Sequence, residues 1–176
     1  MSKTKIFLTS DTMFGRKNII NHAKRPFKSV EEMDEKMTKL WNDKVKDNDI
    51  VYHLGNFAWD PFIANIMLGK LKGKIYFLNG NTDKALKESA QLYDNVKMYD
   101  DQIIELPKLK AILCHWPLEY WNGKEDGIFH FHGHNYKDFP HKANENRINV
   151  CADCWNLAPV EIDTIKELIN EYKQTL

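Results

Sequence analysis

What most constrains this chain is an alternation of element types. Short runs of β-branched and aromatic residues fall at Lys5–Thr9, Ile50–Leu54, Lys74–Leu78, Gln102–Leu106, Leu109–His115, Gly127–His132 and Arg147–Ala152, several of them apolar on both faces as in buried strands. Helical patterns separate the early runs. Ser29-Val30-Glu31-Glu32 offers a capping box with Glu32 reaching back, and Met33, Met37, Leu40, Trp41 and Val45 follow on one helical face. Asp60-Pro61 reads as an N-cap and first helical residue, with Ile63, Ile66 and Met67 turned inward and Gly69 and Gly73 closing the helix. A short helix is expected after Asp83, and Ile162, Ile165, Leu168, Ile169 and Tyr172 mark a C-terminal one. The second half, from Gln102 to Ala152, is strand-rich, with turn signals at Pro107-Lys108 and Asn122-Gly123. The expected class is α/β, with α+β layering. No repeat or Gly/Pro-rich linker divides the sequence, so residues 1–176 read as one domain, a length that buries roughly 70% of the unfolded surface.

Composition narrows the function classes. Lysine and arginine number 25 against 25 aspartates and glutamates, so no global attraction draws the chain to phosphate backbones or anionic lipid, and there is no strong nucleic-acid signal. No apolar run approaches the ~20 residues of a membrane span. Met1-Ser2-Lys3-Thr4-Lys5 leads into a strand-like segment without a signal-peptide pattern, which makes a cytoplasmic location the expectation. Three cysteines do not make a disulfide framework in a chain of this size.

In open α/β sheets the functional crevice lies beyond the carboxyl ends of the strands, and polar residues collect there. Asp11 follows the first run, Asn56 follows Gly55, Asn81-Thr82-Asp83 follows Gly80, and Cys114-His115 and Gly133-His134 come later. Carboxylate, amide oxygen and imidazole are ligands for hard to borderline metals. Taken in order, Asp11-Thr12-Met13, Gly55-Asn56, Gly80-Asn81-Thr82-Asp83, Cys114-His115-Trp116-Pro117 and Gly133-His134-Asn135-Tyr136 resemble the motifs of the calcineurin-like metallophosphoesterase family, particularly its small single-domain bacterial and phage members. The flanks Phe14-Gly15-Arg16-Lys17-Asn18-Ile19-Ile20, Arg25-Pro26-Phe27, Val51-Tyr52-His53-Leu54-Gly55 and Trp121-Asn122-Gly123 share the likeness, which runs from about Thr4 to Val160. It implies a β-sheet sandwich flanked by helices and, in an active member, two metal ions that generate a hydroxide for attack on phosphorus.

The departures from that pattern bear most on function. By the resemblance, Asp11 matches the first-metal aspartate, while Met13 and Tyr136 stand where that metal's histidines would be. Asn56 replaces the bridging carboxylate, and Thr82 replaces the histidine that assists the leaving group. Asn81, His115 and His134 match second-metal ligands. A thioether suits Mn, Fe or Zn poorly, and a tyrosine would have to ionise from a pKa near ~10. At ~4 Å and an effective dielectric of 20, two divalent ions repel by about 16 kcal/mol, which a neutral Asn bridge does not offset. The expectation is that the dinuclear centre does not form. The residual set Asn56, Asn81, His115 and His134 is left to hold at most one Mn, Zn or Fe cation weakly, and no cofactor is required.

Other residues invite blander readings. His130 and His132 share one strand face, opposite Phe129 and Phe131, in structural or cleft-lining roles. Cys151 and Cys154 have C-x-x-C spacing but read as small buried side chains. Lys70, Lys72 and Lys74 form a solvated turn. Of Trp59, Trp116, Trp121 and Trp155, at least two belong to the core, and an exposed one would mark a contact surface.

The leading expectation is a catalytically inactive phosphoesterase-like protein that acts by binding, as a phage-type inhibitor or adaptor of a protein partner, or on a phosphorylated ligand. The alternatives are a weak phosphodiesterase or phosphomonoesterase using one cation at Asn81, His115 and His134 with Asp11 positioning water, and a nucleotide-binding sensor or sponge.

Overall fold

In the computed structural model, which describes residues 3–83, 86–137 and 146–174, the elements run β1 (Ile6–Thr9), α1 (Asn18–His22), α2 (Val30–Lys44), β2 (Ile50–His53), α3 (Pro61–Leu68), β3 (Lys74–Phe77), α4 (Leu86–Ala90), β4 (Val96–Met98), β5 (Ile103–Leu106), β6 (Ala111–Cys114), β7 (Phe129–His132), β8 (Arg147–Asn149), β9 (Val160–Glu161) and α5 (Ile162–Gln174). Two mixed sheets are flanked by helices. One has the order β4-β3-β2-β1-β9 and the other β5-β6-β7-β8. In the first, β1 to β4 run parallel and β9 antiparallel; in the second, only β5 opposes its neighbour.

Register determines where the loops meet. Thr9 pairs with His53 and His53 with Phe77, so β1, β2 and β3 end level and their following loops emerge side by side. In the second sheet Leu113, Phe131 and Ile148 are likewise aligned. An isolated bridge between Ser10 and Cys151 joins the end of β1 to the chain leaving β8. The carboxyl ends of both sheets therefore open onto one crevice.

Strand alternation divides the core. Phe7, Val51, Ile75 and Phe77 pack with Met33, Met37, Trp41, Ala64 and Met67 on the helix side, while Leu8, Leu54 and Leu78 meet Leu113, Phe131, Ile148 and the α5 residues Ile162, Ile165 and Ile169. The caps behave locally as expected, with one shift. Ser29 Oγ accepts from Glu32 N, but Glu32 reaches back to Lys28 N rather than to Ser29. Asp60 caps α3 through Ile63 N. Two members of the expected apolar stripes are exposed, Leu40 at 36% and Leu168 at 49%, and Ile63 and Ile66 are only partly buried. The side chain of Tyr172 lies outside the described residues. β4 and β9 carry too few residues for a period-2 signal, and the run from Leu109 starts its strand late because Pro107–Leu109 forms a 3-10 turn ending on a left-handed Lys110.

Two buried polar devices hold the loop after β1. The Arg25 guanidinium grips Asp153 through both oxygens, Nε to Oδ1 at 2.9 Å and Nη2 to Oδ2 at 2.7 Å, and donates at 2.7 Å to each of the Thr12 and Asp11 carbonyls. Both side chains are essentially fully buried. His53 sits among the Trp41, Phe57 and Phe77 rings. Its Nδ1 accepts from Gly55 N, so Nε2 carries the proton and donates to Thr12 Oγ1, whose hydroxyl donates to Phe57 O. Burial pushes its pKa down to about 3.

Two stability measurements check this account. Arg25→Met strands a buried carboxylate and should destabilise by about 3–5 kcal/mol in urea unfolding, whereas the double change Arg25→Met with Asp153→Leu should recover much of that loss. For His53 the unfolded chain takes up the proton first as pH falls below 6.5, so stability present at neutral pH is lost progressively toward pH 3. The protein should be about 2 kcal/mol less stable at pH 5 than at pH 7 from this group, a difference absent in His53→Gln.

Candidate functional site

Asn56 is the centre of the crevice. It leaves β2 through Gly55, whose φ of +97° and whose contact with the Gly80 backbone and His115 ring leave no room for a side chain. Its Oδ1 accepts from Thr82 N at 3.1 Å and Thr82 Oγ1 at 2.8 Å. Because the Thr82 N–H can only donate, the amide oxygen must face Thr82, and the amide nitrogen faces inward. There Nδ2 donates to Asp11 Oδ1 at 2.9 Å and Asn81 Oδ1 at 3.1 Å, and lies 3.3 Å from His115 Nε2.

The imidazoles complete the ring. His115 Nδ1 donates to Leu54 O at 2.6 Å, so its Nε2 turns a lone pair into the crevice. It lies 3.1 Å from Asn81 Oδ1 and 3.2 Å from His134 Nδ1. Burial, and secondly the neighbouring His115, hold the His134 pKa below the usual histidine value. Asp11 accepts three hydrogen bonds: besides Asn56 on Oδ1, its Oδ2 accepts from His134 N at 2.8 Å and from the Cys151 thiol at 2.9 Å. A side chain at Gly133 would strike Ser10 Oγ and Asp11 Oδ2.

The structure thus brings Asp11, Asn56, Asn81, Thr82, His115 and His134 together. Among the described residues, neither the Met13 nor the Tyr136 side chain hydrogen-bonds into that ring, although the Tyr136 phenol is near enough to feel the Asp11 charge. Met13 is 1% exposed and packs in the helix-side core, and Tyr136 packs its ring on His22. Burial pushes the Tyr136 phenol up to about 12, so it stays neutral at physiological pH. Backbone conformation nevertheless links these positions. Asp11, Met13, Asn56, His134 and Tyr136 all have positive φ, from +45° to +80°. For Met and Tyr this is a strained choice, about 1–2 kcal/mol each.

Several supporting residues lie outside the set of site residues expected from sequence. Asp83 is buried and accepts from Asn56 N at 2.5 Å, Gly80 N at 2.8 Å and Phe57 N at 2.9 Å, which ties the loops after β2 and β3 together. Burial raises its pKa despite those donors. Cys151, read as a small buried residue, is buried but also donates to Asp11, and Cys154 is half-buried with its thiol on Tyr136 O. His130 and His132 are fully buried on β7 and take structural roles, His130 Nε2 accepting from Leu118 N. A carboxylate in a motif loop beside backbone N–H groups was the available signal for Asp83; Cys151 gave none.

The residues do not fit two metal ions. Asp11 already accepts three hydrogen bonds and its neighbours in sequence and space include a thioether and a neutral phenol, while Asn56 presents an N–H donor where two cations would need an anionic acceptor between them. Two pairs have the spacing of ligands that share one cation: ligands at ~2.1 Å in tetrahedral or octahedral shells lie ~3.0–3.4 Å apart, and His115 Nε2 lies 3.1 Å from Asn81 Oδ1 and 3.2 Å from His134 Nδ1. The Asn56 amide nitrogen sits against that set and would have to turn away from it. Among the described residues, no three His, Cys, Asp or Glu side chains are grouped to hold a metal, and no helix is long and apolar enough to cross a membrane.

No protein-family model matches the chain. It is 37% identical over 180 residues to the uncharacterized protein MJ1445 of Methanocaldococcus jannaschii, an alignment covering 98% of this chain and 96% of that protein. The gene 66 protein of Mycobacterium phage D29 is 23% identical over 203 residues, covering 98% and 100%. The crystal structure of the protein of unknown function AQ665 from Aquifex aeolicus shares the fold, with a TM-score of 0.72 at 24% identity over 94% of this chain and 100% of that one.

The amide arrangement is testable by substitution. Asn56→Asp sets a second carboxylate against Asp11 and should lower stability by about 1–3 kcal/mol without divalent ions. Addition of Mn²⁺ or Zn²⁺ should then raise the Tm of Asn56→Asp by several degrees through preferential binding to the folded form, at concentrations that shift the natural protein by about 1 °C or less.

Proposed function

We propose that this chain, which belongs to the same family as the uncharacterized protein MJ1445 of Methanocaldococcus jannaschii, is a metallophosphoesterase-like protein that works by binding rather than hydrolysis, as an inhibitor or adaptor of a macromolecular partner. The observation that carries this reading is the inward-facing Asn56 amide, held by Thr82 and bonded to Asp11 and Asn81. An uncharged amide, hydrogen-bonded to the Asp11 carboxylate, stands where metal-assisted hydrolysis needs paired cations and an activated water. Thr82 spends its hydroxyl on that network and has no proton to give a leaving group at neutral pH.

Surface chemistry supports a binding role. The loop that carries Asn56 continues into Trp59, 52% exposed, and Phe62, 71% exposed; the segment after His115 carries Tyr120, 74% exposed. Aromatic side chains left in water on the crevice loops and at the start of α3 are the residue types that anchor protein interfaces.

Hydrolysis of bis(p-nitrophenyl) phosphate in excess Mn²⁺ tests the proposal. The natural protein should give a rate equal to that of its His115→Ala variant and of Mn²⁺ alone. The combined changes Met13→His, Asn56→Asp, Thr82→His and Tyr136→His should bind two ions and gain turnover above that background. Turnover by the natural protein that His115→Ala abolishes would instead establish a weak single-cation phosphodiesterase.

A further inference from the structure

A second concavity adjoins the crevice without belonging to it. A cavity of about 630 Å³ is bounded by the Arg25–Asp153 pair, the same pair whose guanidinium holds the Asp11 and Thr12 carbonyls. Its apolar wall is Pro26, Phe27, Leu40 and Leu157. Leu40 is the α2 residue that the apolar stripe assigns to the core, yet it remains 36% exposed. Its exposure contributes to the apolar wall of this cavity.

Among the described residues, four of the five charged side chains that line the cavity are cationic. Lys36, Lys39 and Lys137 line the cavity, and the carboxylate among the lining residues, Asp153, has both oxygens occupied by Arg25. Lys36 and Lys39 pair with Glu32 and Asp43 on α2, but these are i,i+4 surface contacts with lysine exposures of 58% and 73%. Such pairs contribute about 0–1 kcal/mol, so the ammonium groups can turn to an incoming anion at little loss. Lysines act on phosphate as mobile point charges, and a wall of proline, phenylalanine and leucine suits a flat apolar ring. The volume lies in the ~300–1,000 Å³ range of small-ligand sites.

We infer that this cavity binds a small aromatic phosphate of nucleotide size, with its ring against Phe27 and Leu40 and its phosphate groups toward Lys36, Lys39 and Lys137. This site is separate from the Asn56 crevice and does not depend on whether that crevice has lost hydrolysis.

The test is an NMR titration with ADP, GDP and UDP, alongside adenosine and inorganic phosphate. At least one nucleotide should bind with Kd near or below ~1 mM, shifting amide signals of Phe27 and Leu40. Adenosine and phosphate alone should bind at least tenfold more weakly than that nucleotide, and added salt should weaken it. The double change Lys36→Glu with Lys39→Glu, at exposed helix positions, should reduce affinity tenfold or more while the protein stays folded, its Tm lowered by a few degrees at most as the two i,i+4 pairs are reversed; Asn56→Asp should leave nucleotide affinity intact. No binding by any of the three nucleotides at several millimolar, affinity insensitive to charge reversal, or loss of binding in Asn56→Asp would each overturn the inference.

Discussion

The hydrogen bonds from Thr82 to the Asn56 side-chain oxygen fix the chemical character of the crevice. An amide has a donor end and an acceptor end, and the neighbour that captures the acceptor decides which is left to face the other groups. Here the donor end faces a carboxylate, a second amide oxygen and an imidazole lone pair. Those acceptors would otherwise repel one another or require a cation between them. The N–H groups take over part of that neutralising role, without a charge and without an activated water.

The surrounding architecture holds the crevice loops rigidly from several directions. Level strand ends, the Ser10–Cys151 bridge, the Asp83 carboxylate on three backbone N–H groups and the Arg25 guanidinium on two carbonyls hold the loops in place. Met13 and Tyr136 retain left-handed backbone that neither side chain favours. That strain persists because Met13 N is bound to Asn56 O and the Tyr136 carbonyl accepts from Asn149. Polar support of this kind is expensive to disrupt, since each broken contact leaves a buried group unpaired.

Much of this was legible in the sequence. Strand runs, the Ser29 and Asp60 caps and the polar residues after each run were local signals, and they placed Asp11, Asn56, Asn81, His115 and His134 at strand ends that register then brought together. Less visible were features set by tertiary contact. Nothing local shows that the Asn56 amide is turned by the backbone N–H of Thr82, that Cys151 donates to Asp11, or that Arg25 meets Asp153 across more than a hundred residues. Helical spacing likewise put Leu40 and Leu168 inside, because periodicity defines a face but not how much of it a neighbour covers. The two mixed sheets agree with the expected layering; the residues of the motifs, more than the layering, carry the functional reading.

The most direct test of the central claim is to follow the Asn56 side-chain amide protons by NMR during a Mn²⁺ titration. Held as described, they should appear as slowly exchanging, well-resolved signals that stay sharp at one equivalent of the paramagnetic ion. Selective broadening of those signals at one equivalent, together with the His115 and His134 rings, would mean that a cation occupies the space assigned here to the amide.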